Sequence, residues 1–377
     1  MKKRILAVLL SAIMILTLGA CGNSNNNDTE KNNGKDVQQP SITKLADYKD
    51  FAAILVGDYE VTDEKVKTYF SNVVYEAGIG LTEVKDRNTV QAGDIVKTDY
   101  TGYLDGKAFS GGSTISADGK SNPAWIDVSE NCGIDPTSGA ASGYFIEGFS
   151  AGLIGAKIGQ KTSSDVTFPA DYSNKELAGK LTTFEFDVKG IYVETTPENI
   201  TDAVVKATFG ESYKVSTVAE FMQVMKEELA YNMIVNHVIE KSTFNIPEDY
   251  LNYRLEGYQS LFEDLYCGST DIDTFLAMYG TTLATMKAQW ASSLQSQIKA
   301  ELVFAAIVKD AGLKVDEKEL ADYVAAVQKT ANSEGGNSYF KTEENIYKMI
   351  GVGSVEAGKT YFLNQDATRD YVMENYQ

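Results

Sequence analysis

The hydrophobic pattern changes character along the chain. From 92 to 193, apolar and polar residues alternate in short runs. Phe184-Glu185-Phe186-Asp187-Val188-Lys189 repeats with period two, and Val166 and Phe168 follow the same rule. That period sends successive side chains to opposite faces and predicts half-buried strands. Asp105-Gly106 separates 100–104 from 107–109 and predicts a hairpin turn. Gly148, Gly152, Gly155 and Gly159 punctuate a short connecting helix and its exits. Regular turns between short strands predict a small antiparallel sheet.

Beyond 197 the period lengthens to that of helices. Thr217-Val218-Ala219-Glu220 is a capping box, with Val218, Phe221, Met222, Met225 and Leu229 on one face. Pro247 sits where a first helical turn accepts proline. A long helix is predicted over 282–311 with Gly312 as its stop, and Asp316 with Glu319 opens another. Upstream of the strands the pattern is mixed. The apolar run 51–56 precedes a helix start at Thr62-Asp63-Glu64, with Val66, Tyr69, Phe70, Val73 and Val74 at helical spacing. No period of 20–50 residues signals a repeat. The fold class expected is α+β: an antiparallel sheet with a short helix, joined to an all-α domain.

The N-terminus has a different logic. Lys2, Lys3 and Arg4 precede the apolar stretch 5–18, which ends in Leu18-Gly19-Ala20-Cys21. This order of charge, apolar run and small residues is that of a secretory signal peptide, and the run is short for a membrane span. The ending resembles the lipobox of bacterial lipoproteins, which implies lipidation of Cys21, a membrane partner through that lipid, and a place on the outer side of the cell membrane. The Asn-rich segment after it has Val37 as almost its only apolar residue and reads as a tether. The division expected is 1–20 signal peptide, 21–42 tether, 43–90 a segment packing with the helical domain, 91–193 the sheet domain and 194–377 the helical domain.

Composition narrows the chemistry. The chain has 34 basic and 53 acidic side chains, net −19, which argues against a nucleic-acid partner. Cys132 and Cys267 show no metal spacing, and whether they pair is left open. His237, the only histidine, lies inside a helical pattern and reads as structural. A zinc site or a Ser-His-Asp triad is not expected.

Residues 93–109, beginning Gly93-Asp94-Ile95-Val96 and running through Tyr100 and Asp105-Gly106 to Phe109, resemble the first strands of FKBP-type peptidyl-prolyl isomerases. Phe145-Ile146-Glu147-Gly148-Phe149 is similar to that family's pocket-floor motif. The run 152–160, then Phe168-Pro169-Ala170-Asp171-Tyr172 and 184–188, complete the order. The flanks at Asp47-Tyr48-Lys49, Asn245-Ile246-Pro247-Glu248 and Leu313-Lys314-Val315-Asp316-Glu317 resemble trigger factors, whose ribosome-binding domain has no counterpart in the pattern. The resemblance implies a proline isomerase and chaperone needing no cofactor or metal. Its partners would be unfolded or nascent exported polypeptides containing proline, with no ribosome. It implies catalytic roles for Tyr100, Phe109, Phe149 and Phe186. Substrate would also be bound by Trp125, Phe145, Ile146 through its backbone N–H, and Tyr172.

Three departures stand out. Ser110 and Asn174 occupy positions where the family often has an acid and an aromatic or histidine, and 111–143 is long and rich in Gly and Ser, as a flap or an unstructured insertion would be. Met222, Met225, Met233, Tyr253, Tyr258 and Phe262 are open to two readings, a client-facing surface or helix-packing core. A holdase of the same fold without catalysis is the first alternative function. A solute-binding lipoprotein is the second, although its repeated strand–helix–strand pattern is missing. If Cys21 is the anchor, Cys21→Ser should move the protein from membranes to the medium; retention after a high-salt wash would contradict it.

Overall fold

A computed structural model describes residues 37–333 and 336–376. The signal-peptide, Cys21 and nearly all tether expectations lie outside the described residues. The tether's expected end does not hold as drawn: Ser41 and Ile42 already belong to a strand, β1 (Ser41–Lys44), paired with 243–245.

The chain forms two compact units. One comprises the segment up to Thr62 together with 209–214 and 226–377; the other comprises 63–208 and 215–225. The boundaries differ from those expected. Residues 63–90 go with the sheet, because β2 (Leu81–Glu83) hydrogen-bonds to the sheet's longest strand, Leu181–Glu194. The helix α2 (Asp63–Glu76) buries Val66, Phe70 and Val74, and the Phe70 ring meets Phe221 edge-on at 5.8 Å. The short helix α1 (Phe51–Ile54) stays in the first unit.

The sheet continues with β3 (Ile95–Leu104), β4 (Lys107–Ser113), β5 (Ala124–Asp127), β6 (Cys132–Ile134), β7 (Ala141–Tyr144), β8 (Lys161–Thr167) and β9 (Leu181–Glu194). Its order is β2-β9-β3-β5-β6-β7, with β4 on β3 and β8 on β9, and every pairing is antiparallel. Asp105 and Gly106 both take positive φ (51° and 74°), as a tight hairpin turn requires. In β9, Thr182, Phe184, Phe186 and Val188 are buried while Glu185 is exposed, so the period read from the sequence is the period of burial. The expected connecting helix is only a single 3₁₀ turn, Ala151–Leu153. The insertion is neither flap nor coil: 111–143 supplies the end of β4, all of β5 and β6, and most of β7.

In the other unit the helices are α3 (Asp202–Tyr213, its last residues only), α4 (Val218–Lys241, from 226 onward), α5 (Glu248–Phe262), α6 (Ile272–Met278), α7 (Leu283–Ala311), α8 (Glu317–Ala331), α9 (Glu343–Ile350) and α10 (Val355–Asn375), with β1 paired to β10 (Thr243–Asn245). The caps fall where the sequence put them. Thr217 accepts from the Glu220 N–H while the Glu220 carboxylate accepts from the Thr217 N–H. Gly312 ends α7 in the left-handed conformation. Tyr48 and Ile54 join a core with Val238, Phe304, Ile307 and Phe362. Tyr258 stacks on Trp290 at 4.8 Å, and Phe262 lies 5.2 Å from the same ring. Tyr258, Phe262 and Met225 are therefore packing residues, whereas Tyr253 is 48% exposed.

Two buried ion pairs fix helix register in this unit. Arg254 gives Glu301 a bidentate pair at 2.8 and 3.0 Å and donates to the Gly351 carbonyl at 2.8 Å. Arg369 pairs with the fully buried Glu228. Removing one partner of such a pair strands a buried charge, at a cost of about 3–5 kcal/mol. Cys132 and Cys267 are both free and buried, in different units. His237 packs its ring against Tyr59 at 4.8 Å. Among the described residues, no helix is long and apolar enough to cross a membrane.

Asp366 carries a pH signature. Burial first, then Asp370 and Glu319, push its carboxyl up to about 6 against the opposing pull of Arg369. A carboxyl whose folded pKa is raised favours folding when protonated, so this contribution is full below about 4 and is lost as pH rises through about 6. Asp366→Asn should raise the melting temperature at neutral pH, with the gain shrinking to nothing by about pH 4 in calorimetric scans.

Candidate functional site

The site is built on β3, β9 and the turn 145–150. Strand alternation aims Tyr100, Phe184 and Phe186 at the same face, and antiparallel register sets Tyr100 opposite Phe186. Phe149 comes from the turn. Its ring lies 5.1 Å from Tyr100, 4.3 Å from Phe145, 4.8 Å from Phe184 and 5.2 Å from Phe186. All are edge-to-face except the stack on Phe145, geometries that suit the ring quadrupoles. Gly148 has φ 85°, which lets the chain reverse so that the Phe149 N–H donates to the Ile146 carbonyl at 3.1 Å.

Burial sorts these residues into a base and a wall. Phe149, Phe184 and Phe186 are buried. Tyr100, Phe109, Phe145, Ile146 and Tyr172 are half-buried and pack against that base. Phe109 meets Phe184 at 5.7 Å and Phe168 at 6.1 Å, and Tyr172 meets Phe168 at 4.6 Å. The base is thus shared, and a second flank runs from Phe109 through Phe168 to Tyr172. Phe184 and Phe168 were not among the site residues expected from sequence, although the alternation at 184–188 already placed Phe184 on the face of Phe186.

Trp125 is not part of this cluster. It lies 4.6 Å from Tyr192, with the Lys97 ammonium 5.1 Å from its ring. Its neighbour Ile126 is fully buried in the core, so period two turns Trp125 to the opposite face of β5. Ser110 is exposed on β4, and Asn174 accepts backbone bonds from Glu176, Leu177 and Ala178, holding a turn. Asp99, one residue before Tyr100, is buried. It accepts from Ser121 at 2.8 and 2.9 Å and from Thr114 at 3.0 Å, which ties down the connection between β4 and β5.

Two polar groups on the wall have no hydrogen-bond partner among the described residues: the Tyr100 hydroxyl and the Ile146 N–H. Burial pushes the Tyr100 pKa up, so its hydroxyl keeps its proton at neutral pH and remains a donor. The arrangement is an aromatic cluster, buried at its base and half-exposed at its wall, with two donors beside it. Among the described residues, no group of His, Cys, Asp and Glu is placed to hold a metal.

Gly102 is a point of close packing beneath the site. A Cβ there would come within 2.5 Å of the Phe109 ring and 2.6 Å of Phe184. Gly102→Ala should therefore destabilise the sheet unit by about 1–3 kcal/mol in urea unfolding and displace Phe109; a variant as stable as the parent would contradict this packing.

Comparison with known proteins agrees with the geometry. Residues 86–190 match the FKBP-type peptidyl-prolyl cis-trans isomerase family, and residues 207–348 match the C-terminus of bacterial trigger factor. The trigger factor of Halothermothrix orenii is 28% identical over 305 residues, covering 78% of this chain and 65% of its own length. That of Clostridium beijerinckii is 30% identical over 274 residues, covering 70% and 58%. That of Acetivibrio thermocellus is 27% identical over 342 residues, covering 88% and 72%. The chain thus spans between 58% and 72% of the length of these relatives. A solved trigger factor chaperone chain aligns over 90% of this chain and 80% of its own at 14% identity, with a TM-score of 0.29. This chain therefore joins an FKBP-type peptidyl-prolyl isomerase domain to a trigger factor C-terminal domain.

Proposed function

We propose that the protein catalyses cis-trans isomerisation of X-Pro bonds and acts as a chaperone for unfolded, exported polypeptides while lipid-anchored at the outer face of the cell membrane. The observation that carries the catalytic part is the aromatic cluster itself: half-exposed rings on a buried aromatic base, beside an unpartnered Tyr100 hydroxyl and Ile146 N–H.

Rotation about a peptide bond sacrifices amide resonance, a barrier of about 18–20 kcal/mol. The twisted transition state is less charge-separated than the planar amide. An apolar site therefore disfavours the planar form relative to the twisted one, which is differential binding assisted by desolvation. Phe149 forms the buried base that holds the half-exposed rings of Tyr100 and Phe145, against which a proline ring would rest. Tyr100 and the Ile146 N–H donate to carbonyls of the bound peptide and hold it against the cluster. No proton transfer and no metal are required, which suits a site built from aromatic rings.

The helical unit supports the chaperone part through its match to the trigger factor C-terminus. Clients held by that unit would meet the isomerase at raised effective concentration, because both lie on one chain. Export and anchoring rest on the sequence alone, on Lys2-Lys3-Arg4, the apolar run and Cys21. An exported protein has exported chains as clients and does not meet the ribosome.

A proline-containing tetrapeptide assay tests the catalytic reading. Tyr100→Phe removes one donor and should lower kcat/KM by about 3- to 10-fold, the equivalent of one ordinary hydrogen bond. Phe149→Leu keeps apolar volume but removes the flat base, and should lower it further while leaving suppression of client aggregation intact. Undiminished catalysis by a folded Phe149→Leu variant would discard this cluster as the site. No catalysis by the parent, with aggregation suppression retained, would favour the holdase.

A further inference from the structure

Asn131, in the inserted region, is hydrogen-bonded to the catalytic turn at four points. Its Nδ2 donates to the Phe145 carbonyl at 3.2 Å and to the Ile146 carbonyl at 2.9 Å. Its Oδ1 accepts from the Ser150 N–H at 3.0 Å. Its own carbonyl accepts from the Phe145 N–H at 2.9 Å. Both amide hydrogens and the amide oxygen are thus spent on the turn that carries Phe145, Ile146 and Phe149.

The backbone at Asn131 is built for this. Its φ is 52°, in the left-handed region that asparagine tolerates better than most residues. The turn leading to it is pinned on every side. Asp127 accepts from the N–H groups of Ser129 and Glu130, Ser129 accepts from the Gly93 N–H, and Ser150 donates its hydroxyl to the Val128 carbonyl. The asparagine amide is therefore a fixed point.

The consequence for catalysis follows from peptide geometry. The bond between Phe145 and Ile146 is trans and planar, so the Phe145 C=O and the Ile146 N–H point in opposite directions. Drawing the carbonyl onto Asn131 turns the N–H away from Asn131 and leaves it without a partner among the described residues. We propose that Asn131 is a positioning residue for proline isomerisation: its side-chain amide orients the Ile146 N–H and the Phe149 base, so that the insertion 111–143 serves the active site without touching substrate. The inference rests on the isomerase reading of the cluster.

Asn131→Asp is close to isosteric. It keeps the acceptor for Ser150 but replaces two donors with a carboxylate oxygen facing two carbonyls. At neutral pH, kcat/KM on an uncharged proline peptide should fall roughly 10- to 100-fold, the scale of a small misplacement of a reacting group. As pH falls from about 7.5 to about 4.5 the variant should recover part of its activity, because a protonated carboxyl regains one donor. Asp127, Glu130 and Glu147 share these turns and favour that protonation, while the buried Cys132 thiol, pushed up by burial and by Asp127 and Glu130, stays neutral. The parent should stay flat over the same range. Full activity in the variant, or a loss that no lowering of pH relieves, overturns the proposal. If the variant does not fold, Asn131→Gly answers instead, since glycine accepts φ 52° and keeps the backbone carbonyl. Unchanged kcat/KM there is equally decisive against the proposal. A loss accompanied by a shifted Ile146 amide resonance, with those of 168–177 unmoved, supports it. If the parent itself shows no isomerase activity, the isomerase reading fails. The Ile146 resonance in the two variants then still decides whether Asn131 orients that amide.

Discussion

The packing of one ring organises the sheet unit. Phe149 arrives on a turn, not on a strand, yet it packs against Tyr100, Phe184 and Phe186 on the face shared by the paired strands β3 and β9. Aromatic pairs of this kind add about 0.5–1.5 kcal/mol each beyond the area they bury. They also dictate shape. With the base filled by buried rings, Tyr100, Phe145 and Ile146 stay partly open above it. Gly102 is forced by the same packing, because the Phe109 and Phe184 rings occupy the room that a side chain would need.

An aromatic cluster of this kind stays in place only if the turn that carries Phe145 and Phe149 is held firmly. In the turn 145–150, two carbonyls and two N–H groups are bonded to Asn131, and the Ser150 hydroxyl donates to the Val128 carbonyl. The loop that enters β3 is fixed in a comparable way. Asp94, nearly fully buried, takes a bidentate pair from Arg87 at 2.5 and 2.7 Å and the Gln91 N–H at 2.7 Å. Charge-assisted bonds of this type hold backbone more firmly than neutral ones.

The helical unit solves a different problem. Its long helices need register, and apolar ridges alone permit sliding. Arg254 on α5 reaches Glu301 on α7 and the Gly351 carbonyl, and Arg369 on α10 reaches Glu228 on α4. Each pair is satisfied in one register only, because a shift would strand a buried charge. The exposed Tyr253 and Met278 are left to solvent by this packing, and Tyr258 and Phe262 are taken out of it.

Local rules determined much of this protein. The strand at 184–188, the Asp105-Gly106 turn, the Thr217–Glu220 capping box and the Gly312 stop all follow from short-range sterics and hydrogen bonding, and a chain of this sequence shows them in order. The ordered motifs at 93–109, 145–149 and 168–172 also named most of the aromatic residues that pack together around Phe149. Long-range pairing decided the rest. Trp125 read as a pocket residue, but it falls to the other face because Ile126 beside it points into the core. Residues 63–90 read as part of the helical body, but β2 pairs with β9 and carries them to the sheet. Residues 111–143 read as a flap or a coil, because Gly and Ser carry little periodic signal. Only the pairing of β5, β6 and β7, which supplies the hydrogen bonds that composition cannot announce, makes them sheet and brings Asn131 to the turn of Phe149.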